Sequence, residues 1–170
     1  MADAAVTPVY RHTQPGHVMR IALGAGILFV MGLWLVIRSS GSPPVTNWIM
    51  GSTLVVPAVC VALFWSLTVE IAGGFVVARF GPGLIRLRFP LRDIESCEPV
   101  TNCWCHGWGI HWTPRGWLYN VSGRYSVQIR MRSGKTALIG TDEPEALVAA
   151  IRDAMAAERL AGCGNTSAPG

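Results

Sequence analysis

Residues 21–37, IALGAGILFVMGLWLVI, form an unbroken run of seventeen apolar or glycine residues bracketed by Arg20 and Arg38. At helical rise the run makes about 25 Å, and Val18 and Met19 extend it toward the ~30 Å hydrocarbon layer of a bilayer. The two arginines can carry their guanidinium groups to the interfaces. A membrane helix is therefore expected over 18–38. The apolar stretch exceeds a signal-peptide core, and no small-x-small cleavage site follows at the right distance, so an uncleaved anchor is expected.

Outward from this run, residues 48–67, WIMGSTLVVPAVCVALFWSL, hold no charge and carry Trp48 and Trp65 at their ends, where interfacial aromatics belong. A second span is expected there, kinked at Pro57 because proline removes a helical hydrogen bond. Residues 39–47, SSGSPPVTN, are a short turn, so the two spans make a hairpin with both chain ends on one side. Arg11 and Arg20 precede the first span, Arg79, Arg86 and Arg88 follow the second, and only Arg38 flanks the turn. The excess of arginine outside the turn places both termini in the cytoplasm of a plasma or inner membrane. Neither span holds an acid, a histidine or an interior arginine, so an anchor is expected rather than an ion path. Gly24, Gly26, Gly32 and Gly51 are expected to let helices pack closely, within the hairpin or between copies.

The composition agrees. Only 14% of the 170 residues are charged, against about 25% in soluble domains, and most of the charge follows Glu70. The net charge of +4 is small and scattered, which fits anionic lipid and argues against nucleic acid. Five cysteines, one of them (Cys60) inside an apolar span, make a poor disulfide framework and suit a reducing compartment.

After Leu67 the period falls to two. Ile85, Leu87, Phe89 and Leu91 alternate with Arg86, Arg88, Pro90 and Arg92; Tyr125, Val127, Ile129 and Met131 alternate with Ser126, Gln128, Arg130 and Arg132. Such alternation describes strands with one buried and one wet face. Further strands are expected over 68–71, 75–80, 94–100, 116–121 and 136–140, separated by glycine-containing turns. Thr141-Asp142-Glu143-Pro144-Glu145 then starts a helix to about Leu160, with Leu147, Ile151 and Met155 on its apolar face. The expected fold class is a membrane α-helical hairpin plus an α+β domain over 68–160: a seven-stranded antiparallel sandwich or barrel with one C-terminal helix. Residues 1–17 and 161–170 are expected to be tails.

Seven strands closed by one helix is the order of elements in pleckstrin-homology domains. Gly107-Trp108-Gly109-Ile110, the stretch 116–123 (GWLYNVSG) and Ile139-Gly140-Thr141-Asp142 resemble the bacterial pleckstrin-homology-like family. Arg79-Phe80-Gly81-Pro82-Gly83 and Pro90-Leu91-Arg92-Asp93-Ile94 fit the same pattern. The resemblance covers about residues 68–158, and members often follow two transmembrane helices. It implies a fold and a membrane setting, not a catalysed reaction. His111 and the segment Cys103-Trp104-Cys105-His106 depart from the pattern, arginine being expected at 111.

Three constellations could carry chemistry. Cys97, Cys103, Cys105, His106 and His111 are zinc-ligand types, but no Cys-x-x-Cys pair accompanies them, so no metal or cofactor is expected. Cys97 alone reads as a core residue at a strand end. Trp104, Trp108, Trp112 and Trp117 crowd one segment and can fill a small core or form a rim toward lipid or a partner. Arg86, Arg88 and Arg92 on one strand, and Arg130 and Arg132 on another, offer a basic face toward anionic lipid. The loop Ala72-Gly73-Gly74, where phosphoinositide-binding pleckstrin-homology domains concentrate positive charge, has none, so no specific phosphoinositide site is expected. No Gly-x-Ser-x-Gly, phosphate loop, dinucleotide fingerprint or His-Glu-x-x-His occurs. Asn120-Val121-Ser122 matches a glycosylation acceptor, a chance match on a cytoplasmic domain.

The sequence thus reads as a non-enzymatic, membrane-anchored binding module whose partner is lipid, a protein or another copy. Its rivals are a small membrane enzyme or metal binder using Cys103, Cys105 and His106, and a subunit of a larger membrane complex.

Overall fold

The structure is a computed structural model that describes residues 7–41, 43–103 and 109–164. Its first element is a strand, β1 (Tyr10–Pro15), followed by two helices, α1 (His17–Ser39) and α2 (Pro44–Leu63). The chain then returns to β2 (Ser66–Ala72), which pairs antiparallel with β1 from Tyr10↔Ile71 to Pro15↔Ser66. The helical pair is therefore an insertion into a β-hairpin, and it leaves the sheet between two bonded strands.

β1 corrects the expectation of a tail over 1–17. Its inward positions are Tyr10, His12 and Gln14, not an apolar row, and its partner lies beyond both helices. Local pattern had nothing to reveal. The second span is also displaced: α2 starts at Pro44 and stops at Leu63, whereas 48–67 was expected. Ser66 and Leu67 belong to β2, because Leu67 is fully buried opposite Phe80 in the sheet core.

Both helices are long and apolar enough to cross a membrane, and none of their residues is buried within the protein. They pack against each other, and Trp34 donates its ring N–H to the Asn47 side-chain oxygen at 2.9 Å near the turn. A Cβ placed at Gly24, Gly26, Gly32 or Gly51 would meet nothing within 4 Å. Those glycines do not serve close packing inside the hairpin.

Sheet A has the order β1-β2-β3-β4, with β3 (Phe75–Phe80) and β4 (Ile85–Pro90). A single 3-10 turn, Leu91–Asp93, leads into the second sheet. Sheet B has the order β5-β8-β9-β7-β6, built from β5 (Ile94–Thr101), β6 (Gly109–Thr113), β7 (Gly116–Asn120), β8 (Tyr125–Met131) and β9 (Thr136–Gly140). Among the described residues nine strands in two sheets replace the expected seven, β6 being the second that alternation did not reveal, and no closed barrel forms. Nor is the domain wholly antiparallel, because β9 inserts between β7 and β8 and runs parallel to β7. Val121, just after β7, is fully buried.

One core joins the two sheets and the last helix. Leu67, Val69 and Ile71 of β2 and Val76 and Phe80 of β3 face Ile94, Val127, Ile129 and Ile139 of sheet B. The helix α3 (Pro144–Gly164) closes it with Leu147, Val148, Ile151 and Met155. Just ahead of α3 the Thr141 hydroxyl accepts the Glu143 backbone N–H at 3.1 Å, in a turn that leads into the helix. The helix outlasts the expected end at about 160, so the expected tail over 161–170 begins as helix, and residues 165–170 lie outside the described residues. Phe64, at the end of α2, meets Phe80 edge-on at 5.6 Å and ties the hairpin to this core.

Candidate functional site

The period of two on sheet A sends Leu67, Val69, Val76, Ala78 and Phe80 to the core and the alternate residues outward. Register then sorts the outward residues into rows. Thr13, Thr68, Arg79 and Arg86 stand side by side in one row; Arg11, Glu70, Val77 and Arg88 stand in the next, about 7 Å further along. Four arginines and one glutamate share this face.

Their contacts are specific. A terminal nitrogen of Arg79 donates to the Glu70 carboxylate, while the Arg79 Nε is buried with no acceptor. Arg86 folds back so that its Nε donates to the Gly83 carbonyl at 2.7 Å. The Thr13 and Thr68 hydroxyls share a hydrogen bond of 2.9 Å. Arg11, Thr68, Glu70, Arg79, Arg86 and the Gly81–Gly83 turn line a groove of about 180 Å³. Gly81 has φ +48°, and a Cβ there would lie 2.6 Å from the Ala62 carbonyl oxygen at the end of α2. The groove thus opens beside the base of the helical hairpin. Guanidinium and hydroxyl donors hold an anion; they do not transfer protons near neutral pH.

The arginines expected to form one basic face are divided. Arg86 and Arg88 lie on the face just described. Arg92 does not, because β4 ends at Pro90 and the 3-10 turn breaks the alternation. It lines a second pocket of about 210 Å³ at the far end of β4, with Arg132, Arg159 and Glu158 over Leu91, Ile94 and Met155. Arg130 stands exposed on β8, apart from both. Alternation within 75–80 and 68–71 could have put Arg79 and Glu70 on the outer face. Arg11 was invisible, since its strand was.

The cysteine and histidine candidates do not converge. Cys97 is 4% exposed, its Sγ lies 3.9 Å from the Val148 carbonyl, and the Arg152 guanidinium donates to the Cys97 carbonyl at 3.1 Å. Burial pushes its thiol pKa up, against a smaller opposing effect of Arg152. His111 lies on β6, at the opposite edge of sheet B, with three strands between. Four strand spacings separate the two residues by about 19 Å, and they point to opposite faces. They cannot share an ion. Cys103 is exposed beyond β5, while Trp104, Cys105, His106 and Trp108 lie outside the described residues. Among the described residues no three His, Cys, Asp or Glu side chains gather as metal ligands. Trp112 and Trp117 are register partners on β6 and β7, both exposed, at 67% and 49%. They sit on sheet B rather than beside the arginine groove.

A polar cluster that sequence reasoning missed ties β1 to the two residues just ahead of α3. His12 Nε2 lies 2.6 Å from Asp142 Oδ1, and its Nδ1 lies 3.5 Å from Glu143. Burial, then Glu143 and Asp142, raise the pKa of the neighbouring Tyr10 hydroxyl. The cluster holds the strand ahead of the hairpin against the helix that ends the domain.

Comparison with protein-family models and with curated proteins finds no match to this chain.

Proposed function

We propose that this chain is a two-pass protein of the plasma or inner membrane whose hairpin holds a binding module, not an enzyme, at the cytoplasmic face. The observation that carries this reading is the exposure of the hairpin. Seven large apolar side chains on α1, from Ile21 to Val36, and six on α2, from Val45 to Val59, contact no other part of the protein closely enough to be covered. Leaving that many in water costs on the order of 20–40 kcal/mol, beyond the whole stability of a typical domain. Lipid removes the cost. Arg11, Arg20, Arg79, Arg86 and Arg88 on the domain side, against Arg38 at the turn, support the cytoplasmic placement.

Two packed sheets closed by one C-terminal helix, with the Gly-Trp-Gly-Ile and Tyr-Asn-Val-Ser-Gly stretches, support a pleckstrin-homology-like reading of the module. The additional β1 and the parallel β7–β9 pair depart from that plan. A scaffold of this kind binds lipid, a protein partner or another copy.

Orientation is the test. A reporter active only in the cytoplasm is fused to the C-terminus and, separately, inserted at Gly41. Activity at the C-terminus alone is expected. Activity at the turn alone would invert the protein and end the cytoplasmic reading, and equal recovery of the intact chain in the soluble fraction would end the membrane one.

A further inference from the structure

Arg79 and Arg86 are direct register partners on adjacent antiparallel strands. Like charges placed so destabilise a sheet unless counter-charge reaches them. Glu70 supplies one carboxylate, and Arg79 alone engages it. Arg86 has no acid partner among the described residues; its one side-chain bond is to the Gly83 carbonyl. With Arg11, three guanidinium groups face one carboxylate around the groove. The Arg79 Nε, buried and without an acceptor, is a donor left over at the centre of this arrangement.

Position adds to charge. Thr68, Arg79 and Arg86 lie in the outward row one step beyond Ser66, the residue that starts β2 next to the helix ends, and two strand residues from Ser66 to Thr68 span about 7 Å. That is the depth of a phospholipid headgroup layer, about 5–7 Å on each side of the hydrocarbon. Leu84, beside the same turn, is 77% exposed and offers an apolar contact at that boundary. The bond of Arg86 to Gly83 curls its exposed guanidinium back over the turn that abuts α2.

We infer that this groove is a site for a phosphate-bearing headgroup, with Arg86, Arg79 and Arg11 as its donors. The inference deepens the binding reading above and rests on it for the presence of a bilayer. A phosphate oxygen takes the unused terminal donors of Arg86, and its charge relieves the repulsion between the two partners. Leaflet phospholipid and a soluble phosphate ester offer the same group.

The test uses the full-length protein, delipidated in a neutral detergent and titrated with short-chain phosphatidylglycerol, short-chain phosphatidylcholine or glycerol 3-phosphate. Complexes are counted by native mass spectrometry. One strong phosphatidylglycerol site per chain is expected, with phosphatidylcholine weaker because its own cation opposes the arginines. Arg86→Gln should weaken phosphatidylglycerol roughly fivefold, the effect of one well-placed basic residue. Arg130→Gln removes the same charge from sheet B and should leave binding unchanged. Arg86 is exposed with one backbone bond, so its replacement spares the fold; Arg79→Gln would instead strand Glu70. Displacement of the lipid by glycerol 3-phosphate would support a site that also takes a soluble ester, and failure to displace would support a lipid-only site. Equal binding of the two lipids, or equal effects of Arg86→Gln and Arg130→Gln, would overturn the inference. Micelles have no sides, so an inverted orientation in the reporter test leaves this outcome independent.

Discussion

The backbone N–H of Gly16 donates to the carbonyl oxygen of Trp65 at 2.9 Å, one rung beyond the last strand pair, Pro15↔Ser66. The ladder therefore continues to the mouth of the helical hairpin, and the helices emerge through a closed stalk rather than flexible linkers. Above that rung the Arg20 guanidinium lies 4.4 Å from the centre of the Trp65 ring, joining the first turn of α1 to the residue that precedes β2.

The stalk leaves no space for a side chain. A Cβ at Gly16 would lie 2.4 Å from the Phe64 carbonyl oxygen, whereas one at Gly24 would meet nothing within 4 Å. Gly16→Ala is expected to destabilise the protein by about 1–3 kcal/mol, as overpacking does. Gly24→Ala should be neutral or slightly stabilising, since alanine is the better helix former. Thermal unfolding in detergent would compare them; an equal loss at both would mean that the glycine face of α1 is in contact after all.

The Arg20–Trp65 pair should contribute about 0.5–2 kcal/mol. A double-mutant cycle of Arg20→Met and Trp65→Leu isolates it. A coupling near zero would reduce the pair to proximity at the helix base.

Asn120 is buried at the β7–β8 crossover, where its Nδ2 donates to the Gly123 carbonyl at 3.1 Å and its Oδ1 accepts the Ser122 N–H at 3.1 Å. This burial also makes it an unsuitable glycosylation acceptor. A Cβ at Gly140 would come within 2.3 Å of that same Oδ1. Asn120→Ala should cost about 1–3 kcal/mol through two lost bonds. Gly140→Ala should cost less in the Asn120→Ala background than alone, because the clashing oxygen is gone. Additive losses would place the two residues in separate roles.

Alkaline pH should weaken the fold. Burial raises Cys97 above its ordinary 9.0, and burial also raises Tyr10 and Tyr119 above 10.0. Each group then holds its proton more tightly when folded, so the unfolded chain ionises first. Their stabilisation is complete below the unfolded values and is lost as pH rises through the folded ones. The melting temperature should therefore fall from pH 9 upward. Tyr10→Phe removes a buried hydroxyl without a hydrogen-bond partner and should make that fall shallower with no loss at pH 7. A steeper fall would show that folding lowers rather than raises the Tyr10 pKa, and a lower melting temperature at pH 7 would show that the hydroxyl stabilises the fold.

Much of the architecture was open to reading in one dimension. The run 21–37 announces α1, which runs four residues further at its start and two at its end, because seventeen apolar residues need only local chain geometry to be understood. All seven strands expected after Leu67 appear, since alternation and glycine turns are local signals too. The site was legible only in part. Arg86 and Arg88 were placed correctly on one face, but Arg92 was carried past the end of its strand, where period two no longer holds. Arg11 and Glu70, which become register partners, stand fifty-nine positions apart, so nothing local connects them.

By itself the sequence determined the apolar hairpin, the β-rich domain after it and the apolar face of α3. These depend on period, composition and turn chemistry, which are properties of neighbouring residues. The tertiary structure alone decided that the hairpin is inserted between β1 and β2, that β9 separates β7 from β8, that Cys97 and His111 lie at opposite edges of a sheet, and that Arg79 faces Arg86 beside the helix base. Each is a matter of which distant strands pair and in what register. That choice is made by burial of the whole core at once.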